Sequence, residues 1–203
     1  MDRKQYEGYE YIDPQNHYTY PNSSVLINKQ GIKDVEEAYR SEHLLVTRRL
    51  SDLSIKFIEV LTVKDILRIH GYLFQDVYVW AGQYRQVNIS KSGNPFMPIQ
   101  SFGTAETYLN NLLATFHKTA NTKKEIIKQL ASILDNLNYF HPFREGNGRT
   151  QREAIRALAM MKGYSAQIRV EQDVEVYNLY MDGTVYGNIQ ILEKLLTKIL
   201  EKL

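Results

Sequence analysis

The stretch HPFREGNGRTQR, residues 141–152, decides the expected fold of this chain because it joins two helical patterns through a short glycine-containing turn. It combines a histidine, a carboxylate and two arginines three positions apart. A base, a hard oxygen ligand, a turn that can bind an anion and a pair of cations are the groups that phosphate chemistry requires. The stretch therefore predicts a phosphate-handling site between two helices.

The flanking segments have the spacing of buried helices. Apolar residues recur at helical intervals over residues 123–140, and Thr122 begins a capping-box pattern. The proline at position 142 disfavours the helical conformation of the residue before it, so this helix should end at His141. A second helix should begin near residues 148–149 and end near Gly163.

The turn between these helices is suited to an anion. Residues 146–148 read Gly-Asn-Gly and lie at a helix N-terminus, where free backbone N–H groups and the helix dipole favour negative charge. Arg149 and Arg152 share one helix face. Together with Arg144 they are opposed in the stretch only by Glu145, so an anionic ligand is expected to balance the cluster.

At every specified position the stretch resembles the Fic family motif, H-x-F-x-[D/E]-G-N-G-R-x-x-R. Residues 76–82 and 87–91 look like the lead-in to the family's flap, and residues 20–32 look like a segment of its bacterial toxin and effector members. The resemblance covers roughly residues 15–195. It implies an all-α fold, the Fic helical bundle, with one small β-hairpin flap. We divide the chain into an N-terminal arm, residues 1–33, and a Fic domain with a C-terminal helix, residues 34–203.

Fic proteins mostly transfer AMP from ATP to a Ser, Thr or Tyr hydroxyl of a target protein, so the resemblance implies a protein adenylyltransferase. It makes His141 the general base and Glu145 the ligand of Mg²⁺. The groups that it assigns to the phosphates are Gly146, Asn147 and Gly148 around the α-phosphate, Arg149 at the leaving pyrophosphate and Arg152 at the γ-phosphate.

Four further residues are assigned by position alone. Ser90 and Lys91 would belong to the flap that aligns the target chain by strand addition. Tyr177 and Asn188 lie where related proteins place adenine-pocket residues. The alternatives are an ordinary surface hairpin for the first pair, and a core tyrosine and a helix cap for the second.

Many Fic proteins carry an inhibitory helix with the pattern [S/T]-x-x-x-E-[G/N], and the sequence contains no full match. Glu7 lacks the Ser or Thr, and Thr197 with Glu201, in the expected C-terminal helix, lacks the final residue. We therefore expect restraint by a separate small antitoxin chain. The Doc branch, which transfers phosphate, bears lysine after the motif asparagine, whereas this chain has Gly148, and this favours AMP transfer.

The resemblance leaves the target open. Toxin-type relatives modify DNA gyrase or topoisomerase IV, and others are secreted effectors. Two alternative functions remain: the same scaffold using another phosphate-containing donor, and a Fic shell that only binds. The presence of His141 disfavours the second, because a binding module needs no base.

Composition narrows the partners further. The 203 residues carry a net charge of +2 and no cysteine. A nucleic-acid-binding protein is usually more basic, so no direct nucleic-acid binding is expected. Disulfides are excluded, and no apolar run is long enough for a membrane span. A cytoplasmic protein is the expectation, with secretion into host cells left open.

Periodicity places the remaining elements. Helices are expected at residues 35–50, 53–60, 63–76, 102–118, 171–181 and 188–202, with a hairpin at 84–98. Four histidines outside the motif lack the partners of a zinc helix site and are interpreted as structural or surface residues: His17, His43, His70 and His117. The tyrosine-rich arm should pack on the helical body, and self-modification of a tyrosine such as Tyr6 is the alternative.

Overall fold

The computed structural model describes residues 9–12, 17–91 and 94–203 of the chain. Glu7 and Tyr6 lie outside these residues. The described residues form seven α-helices: α1 (Val35–Ile55), α2 (Val63–Phe74), α3 (Phe102–Thr119), α4 (Lys123–Phe140), α5 (Asn147–Met161), α6 (Val174–Val185) and α7 (Ile189–Ile199). A helical bundle is therefore confirmed. None of these described helices is both long enough and apolar enough to cross a membrane.

Two small sheets accompany the helices. The flap strands β2 (Asn88–Lys91) and β3 (Asn94–Pro95) pair antiparallel, which is the expected hairpin. The hairpin is not alone, however, because β1 (Tyr9–Ile12) pairs antiparallel with the other edge of β2. The second sheet joins β4 (Tyr164–Ala166) to β5 (Leu200–Lys202).

The first helix is longer than periodicity indicated. Asp34 caps α1 as expected, accepting a hydrogen bond from the backbone N–H of Glu37 at 2.9 Å. The helix then continues to Ile55, and the separate helix predicted at residues 53–60 does not form. Tertiary contacts account for the difference. Leu53 is buried, and its carbonyl accepts a hydrogen bond from Arg156 Nη2 at 2.7 Å, which holds the last turn of α1 against α5.

The C-terminal helix is shorter than expected. It ends at Ile199, and Leu200 is buried as the first residue of β5. Glu201 lies in that strand opposite Ser165 and is exposed. The sequence had indicated that Thr197 and Glu201 share one helix. They do not, because strand pairing with β4 replaces the last helical turn.

Helix α4 is central to the fold, packing against α3, α5 and α7. Most of its apolar residues are buried, and Thr122 forms the expected capping box with Glu125. The packing of α4 on α5 fixes both ends of the motif stretch. The loop between α4 and α5 can therefore hold its side chains and backbone N–H groups close together at one site.

The described part of the N-terminal arm packs on the helical body. Tyr18 is buried, and its ring meets Trp80 edge-on with 5.5 Å between centroids. Its hydroxyl accepts a hydrogen bond from the backbone N–H of Gln86 at 2.9 Å. The arm is thus attached close to the start of the flap.

Candidate active site

The conformation of His141 fixes which of its ring nitrogens can act as a base. The residue is the C-cap of α4, in the left-handed region at φ 44°, and it is buried. Its Nδ1 lies 2.9 Å from the carbonyl oxygen of Asn138. Because a carbonyl oxygen only accepts hydrogen bonds, Nδ1 carries the proton in the neutral ring and Nε2 keeps its lone pair.

The flap reaches the site through Phe96 and Arg85. The ring of Phe96 stacks on the imidazole of His141, with 3.7 Å between centroids and 16° between planes. Arg85 is buried, and its Nε donates to the His141 carbonyl at 2.8 Å. The same guanidinium donates to the carbonyls of Val87 and Met97, on either side of the hairpin. The flap and the histidine are therefore held together.

The side chain of Asn147 stabilises the loop rather than pointing to a ligand. Its Oδ1 accepts from the backbone N–H of Phe143 at 2.9 Å, and its Nδ2 donates to the Phe143 carbonyl at 2.8 Å. Any contact of Asn147 with a phosphate would therefore use its backbone N–H, at the first turn of α5. Phe143 is itself buried and anchors the loop.

Gly146 and Glu145 form the turn that begins α5. Gly146 has φ 79°, a conformation that side chains disfavour. Its N–H donates to Glu145 Oε1 at 2.8 Å. No hydrogen bond from the described residues reaches the other carboxylate oxygen of Glu145, and 30% of this side chain is exposed. One hard oxygen is thus open to a ligand beside the helix N-terminus.

Arg149 is held by a carboxylate that the sequence did not reveal. Glu42, on α1, pairs with Arg149 Nη2 at 2.5 Å, and Glu145 lies 3.4 Å from the same nitrogen. Tyr78 donates its hydroxyl to Glu42. Burial lowers the pKa of Arg149, but Glu42 and Glu145 outweigh it, and the pKa is raised. Glu145 is the only carboxylate of the motif stretch, as the sequence shows, but α1 supplies a second one from a distant part of the chain.

The other two arginines have different surroundings. Arg152 lies against Gly148, where an added Cβ would stand 3.1 Å from Nη1, and its guanidinium is 5.5 Å from the centre of the Tyr180 ring. Arg144 is buried, with its guanidinium 5.8 Å from the centre of the Tyr18 ring. Arg149 and Arg152 are therefore placed at the anion turn, whereas Arg144 packs against the arm.

A cavity of about 280 Å³ adjoins this turn. Gly148 and Arg152 line it from α5, Phe96 from the flap and Tyr180 from α6. Further lining residues come from α4, from α6 and from the connection that follows α6, and they include Asp135, Asn138, Met181, Thr184, Val185 and Gly187. Arginine, a helix N-terminus and largely apolar walls together suit a nucleotide.

The four residues assigned by position are not among the residues that line this cavity, and they are Ser90, Lys91, Tyr177 and Asn188. Ser90 and Lys91 lie in β2, whereas the flap residues that line the cavity are Pro95 and Phe96. The side chain of Asn188 accepts from the Ile191 N–H and caps α7. Tyr177 lies on α6 one turn before Tyr180, and it is Tyr180 that lines the cavity.

Comparison with known proteins identifies the family. The profile of the Fic/DOC family matches residues 60–159. A probable protein adenylyltransferase of Sinorhizobium fredii, y4lH, is 35% identical over 71% of this chain and 76% of its own length. The chain belongs to the Fic/DOC family. The protein adenylyltransferase VbhT of Bartonella schoenbuchensis is 34% identical over 96% of this chain, which spans only 40% of that relative.

Solved structures confirm the Fic fold. The crystal structure of the BepC effector from Bartonella tribocorum, with bound AMPPNP, matches with a TM-score of 0.79 over 93% of this chain and 98% of that protein. The two sequences are 22% identical. At that identity the likeness concerns the arrangement of helices.

The Fic site of this chain also depends on His70, whose role the sequence did not indicate. This fully buried histidine of α2 stacks on Phe143 with 3.8 Å between centroids. Its Nδ1 accepts from the Gly82 N–H at 2.8 Å, so its Nε2 carries the proton and donates to the Glu145 carbonyl at 3.1 Å. His70 thus positions the residue that offers the open carboxylate oxygen. The one feature of the sequence that could have indicated its burial is that His70 lies among the apolar residues of α2.

We expect His70 to make stability depend on pH. Burial, and then the charge of Arg149, lowers its pKa to about 3 from a usual value of 6.5. Between these values the unfolded chain binds the proton and the folded chain does not, so stability falls as pH decreases. From pH 6.5 to 5 the expected loss is about 1.6 kcal/mol. Denaturant unfolding of wild type and His70→Gln at both pH values measures it, and identical pH slopes for the two proteins would contradict the assignment.

We also expect a large effect at Arg85. Burial lowers the pKa of its guanidinium to about 10, and the three carbonyls that it binds connect the flap to His141. Arg85→Ala should cost about 3 kcal/mol or more in unfolding free energy, since it leaves several buried carbonyls unpaired. Arg85→Lys keeps the positive charge but has a single side-chain nitrogen in place of three, so it should recover only part of the lost stability. Arg68→Ala, at an exposed arginine, is the matched control, and equal stability of both alanine variants would refute the role.

Proposed function

We propose that this chain is a protein adenylyltransferase, which transfers AMP from ATP to a hydroxyl side chain of a target protein. The observation that carries the proposal is the geometry of His141, whose Nδ1 is held by the Asn138 carbonyl, so that Nε2 is the ring nitrogen with the lone pair, in the loop that leads into α5. Relatives named protein adenylyltransferases, and a neighbouring structure that holds AMPPNP, support it.

The proposed reaction is an in-line displacement at the α-phosphorus. His141 Nε2 removes the proton from the incoming Ser, Thr or Tyr hydroxyl, whose oxygen forms the new bond to phosphorus while the bond to pyrophosphate breaks. The backbone N–H groups of the turn at residues 146–148 stabilise the charge on the α-phosphate oxygens. Arg149 holds the leaving pyrophosphate and Arg152 the γ-phosphate.

Glu145 would hold Mg²⁺. Its open carboxylate oxygen fits that ion, which is usually bound by one or two carboxylates together with substrate phosphates and water. The described residues contain no cluster of three or more His, Cys, Asp or Glu side chains that could hold a metal ion. When bound, the ion neutralises charge on the phosphates.

Labelled nucleotide tests the proposal. Purified wild type and His141→Ala are incubated with ATP labelled at the α-phosphate, Mg²⁺ and a bacterial lysate. We expect labelled protein bands with wild type alone. Transfer of label from γ-labelled ATP only would show that the protein transfers phosphate rather than AMP, which is the alternative reaction of this scaffold. No transfer of either label, together with intact ATP binding, would favour the binding-module alternative.

The finer identities of the partners are part of the proposal. The target is a protein hydroxyl, with DNA gyrase or topoisomerase IV as the first candidates from the toxin-like resemblance. A separate antitoxin chain would supply restraint, since the sequence lacks the inhibitory pattern and Glu201 lies in β5. The absence of cysteine agrees with action in a reducing cytoplasm.

A further inference from the structure

The cavity beside the anion turn contains a carboxylate that the reaction described above does not use. Asp135 lies on α4, six residues before His141, which corresponds to about 9 Å along the helix axis. It lines the same cavity as Gly148 and Arg152. A nucleotide whose phosphates lie at Gly148 and Arg152 would have room for its sugar and base on the side of the cavity that Asn138 and Asp135 line.

The carboxylate of Asp135 accepts no hydrogen bond from the residues that the structure describes. It is half-buried, and burial raises its pKa. The connection from α6 to α7 comes close, since a Cβ added to Gly187 would stand 3.8 Å from Oδ1. Burying a charged group without a donor costs free energy, so the site is suited to a ligand that brings one.

The neighbouring walls do not supply such a donor. The side-chain nitrogen of Asn138 donates to the Thr184 carbonyl at 2.8 Å instead. Phe96, Met181 and Val185 are apolar and can contact the faces of an aromatic ring. The cavity thus combines surfaces for a planar base with one acceptor that lacks a donor.

We propose that Asp135 selects the nucleobase by accepting a hydrogen bond from the 6-amino group of adenine. In a nucleotide N9 of adenine is bonded to ribose, so the amino group is the only N–H donor that the base has. Purines that lack this group leave the carboxylate buried without a donor and should bind less well. The inference rests on ATP as the donor in the proposed function and adds a residue that determines base specificity.

Calorimetric binding of two nucleotides to the full chain tests this. ATP is compared with purine riboside triphosphate, which has the same ring system without the 6-amino group. Wild type should bind ATP about tenfold to a hundredfold more tightly, the range for a hydrogen bond to a charged group. Asp135→Ala should weaken ATP binding to the level of the analogue and leave binding of the analogue unchanged.

Two further variants sharpen the comparison. Asp135→Asn keeps an oxygen acceptor without the charge and should retain part of the preference for ATP. Lys124→Ala, at an exposed residue of the same helix, should retain all of it. Equal loss of affinity for both nucleotides in Asp135→Ala, or equal affinity in wild type, would overturn the role of Asp135 alone. Failure of wild type to bind either nucleotide would overturn the assignment of ATP as the donor, and this inference with it.

Discussion

Replacing His141 with alanine should lower the rate of the proposed AMP transfer by a factor of about a hundred to ten thousand, the range for loss of a general base. ATP binding should remain nearly intact, because the backbone N–H groups of α5 and the side chains of Arg149 and Arg152 are retained. The measurement is label transfer from α-labelled ATP under saturating nucleotide, together with calorimetric binding of ATP to each protein.

The controls separate loss of the base from loss of packing. His141→Ala also removes the ring on which Phe96 stacks, so Phe96→Leu, which keeps the histidine, should lose much less activity. His43→Ala removes an exposed histidine of α1 and should transfer AMP like wild type. Full transfer by His141→Ala would show that another group removes the hydroxyl proton.

Gly146→Ala is expected to destabilise the fold and remove nucleotide binding together. The residue has φ 79°, and an added Cβ would stand 2.2 Å from Cζ of Phe74, a fully buried ring. The left-handed conformation costs a residue with a Cβ about 1–2 kcal/mol, and overpacking a core costs about 1–3 kcal/mol more. To relieve the contact, either the turn or Phe74 must move. Phe74 lies beneath the Arg149 guanidinium, 4.8 Å from ring centre to Cζ, so the phosphate groups lose their alignment.

A second glycine supplies the matched comparison. Gly103 lies in the first turn of α3, where an added Cβ would meet nothing within 4 Å. Gly103→Ala should therefore be neutral or stabilise the protein by up to about 1 kcal/mol. Denaturant unfolding and ATP binding are measured for both variants. If Gly146→Ala unfolds at the wild-type denaturant concentration and binds ATP normally, the conformation assigned to the turn is wrong.

Local signals predicted the helices well wherever one segment contained the whole cause. Asp34 and Thr122 cap α1 and α4 as expected, and α4 ends where the His-Pro step required. One error is local, because the helix predicted at residues 171–181 begins at Val174 after the Asp173 cap and continues to Val185. Two others lie where the cause is distant. The end of α1 is set by Arg156, about a hundred positions later, and the last turn expected of α7 becomes β5 because β4 offers a pairing edge. Hydrophobic periodicity depends only on residues that are close in the chain, so it cannot indicate partners that are distant in sequence.

The sequence of residues 141–152 by itself determined the family, the helical bundle and the groups expected at the phosphates, because all of those groups lie in one continuous stretch of the chain. Only the tertiary structure decided how they are held. Glu42 pairs with Arg149, His70 supports Glu145, and Arg85 joins the flap to His141. Each of these partners comes from 56 to 107 positions away in the chain. Hydrogen bonds and ion pairs act over a few ångströms of space, so their partners become known only when the fold has brought distant segments together.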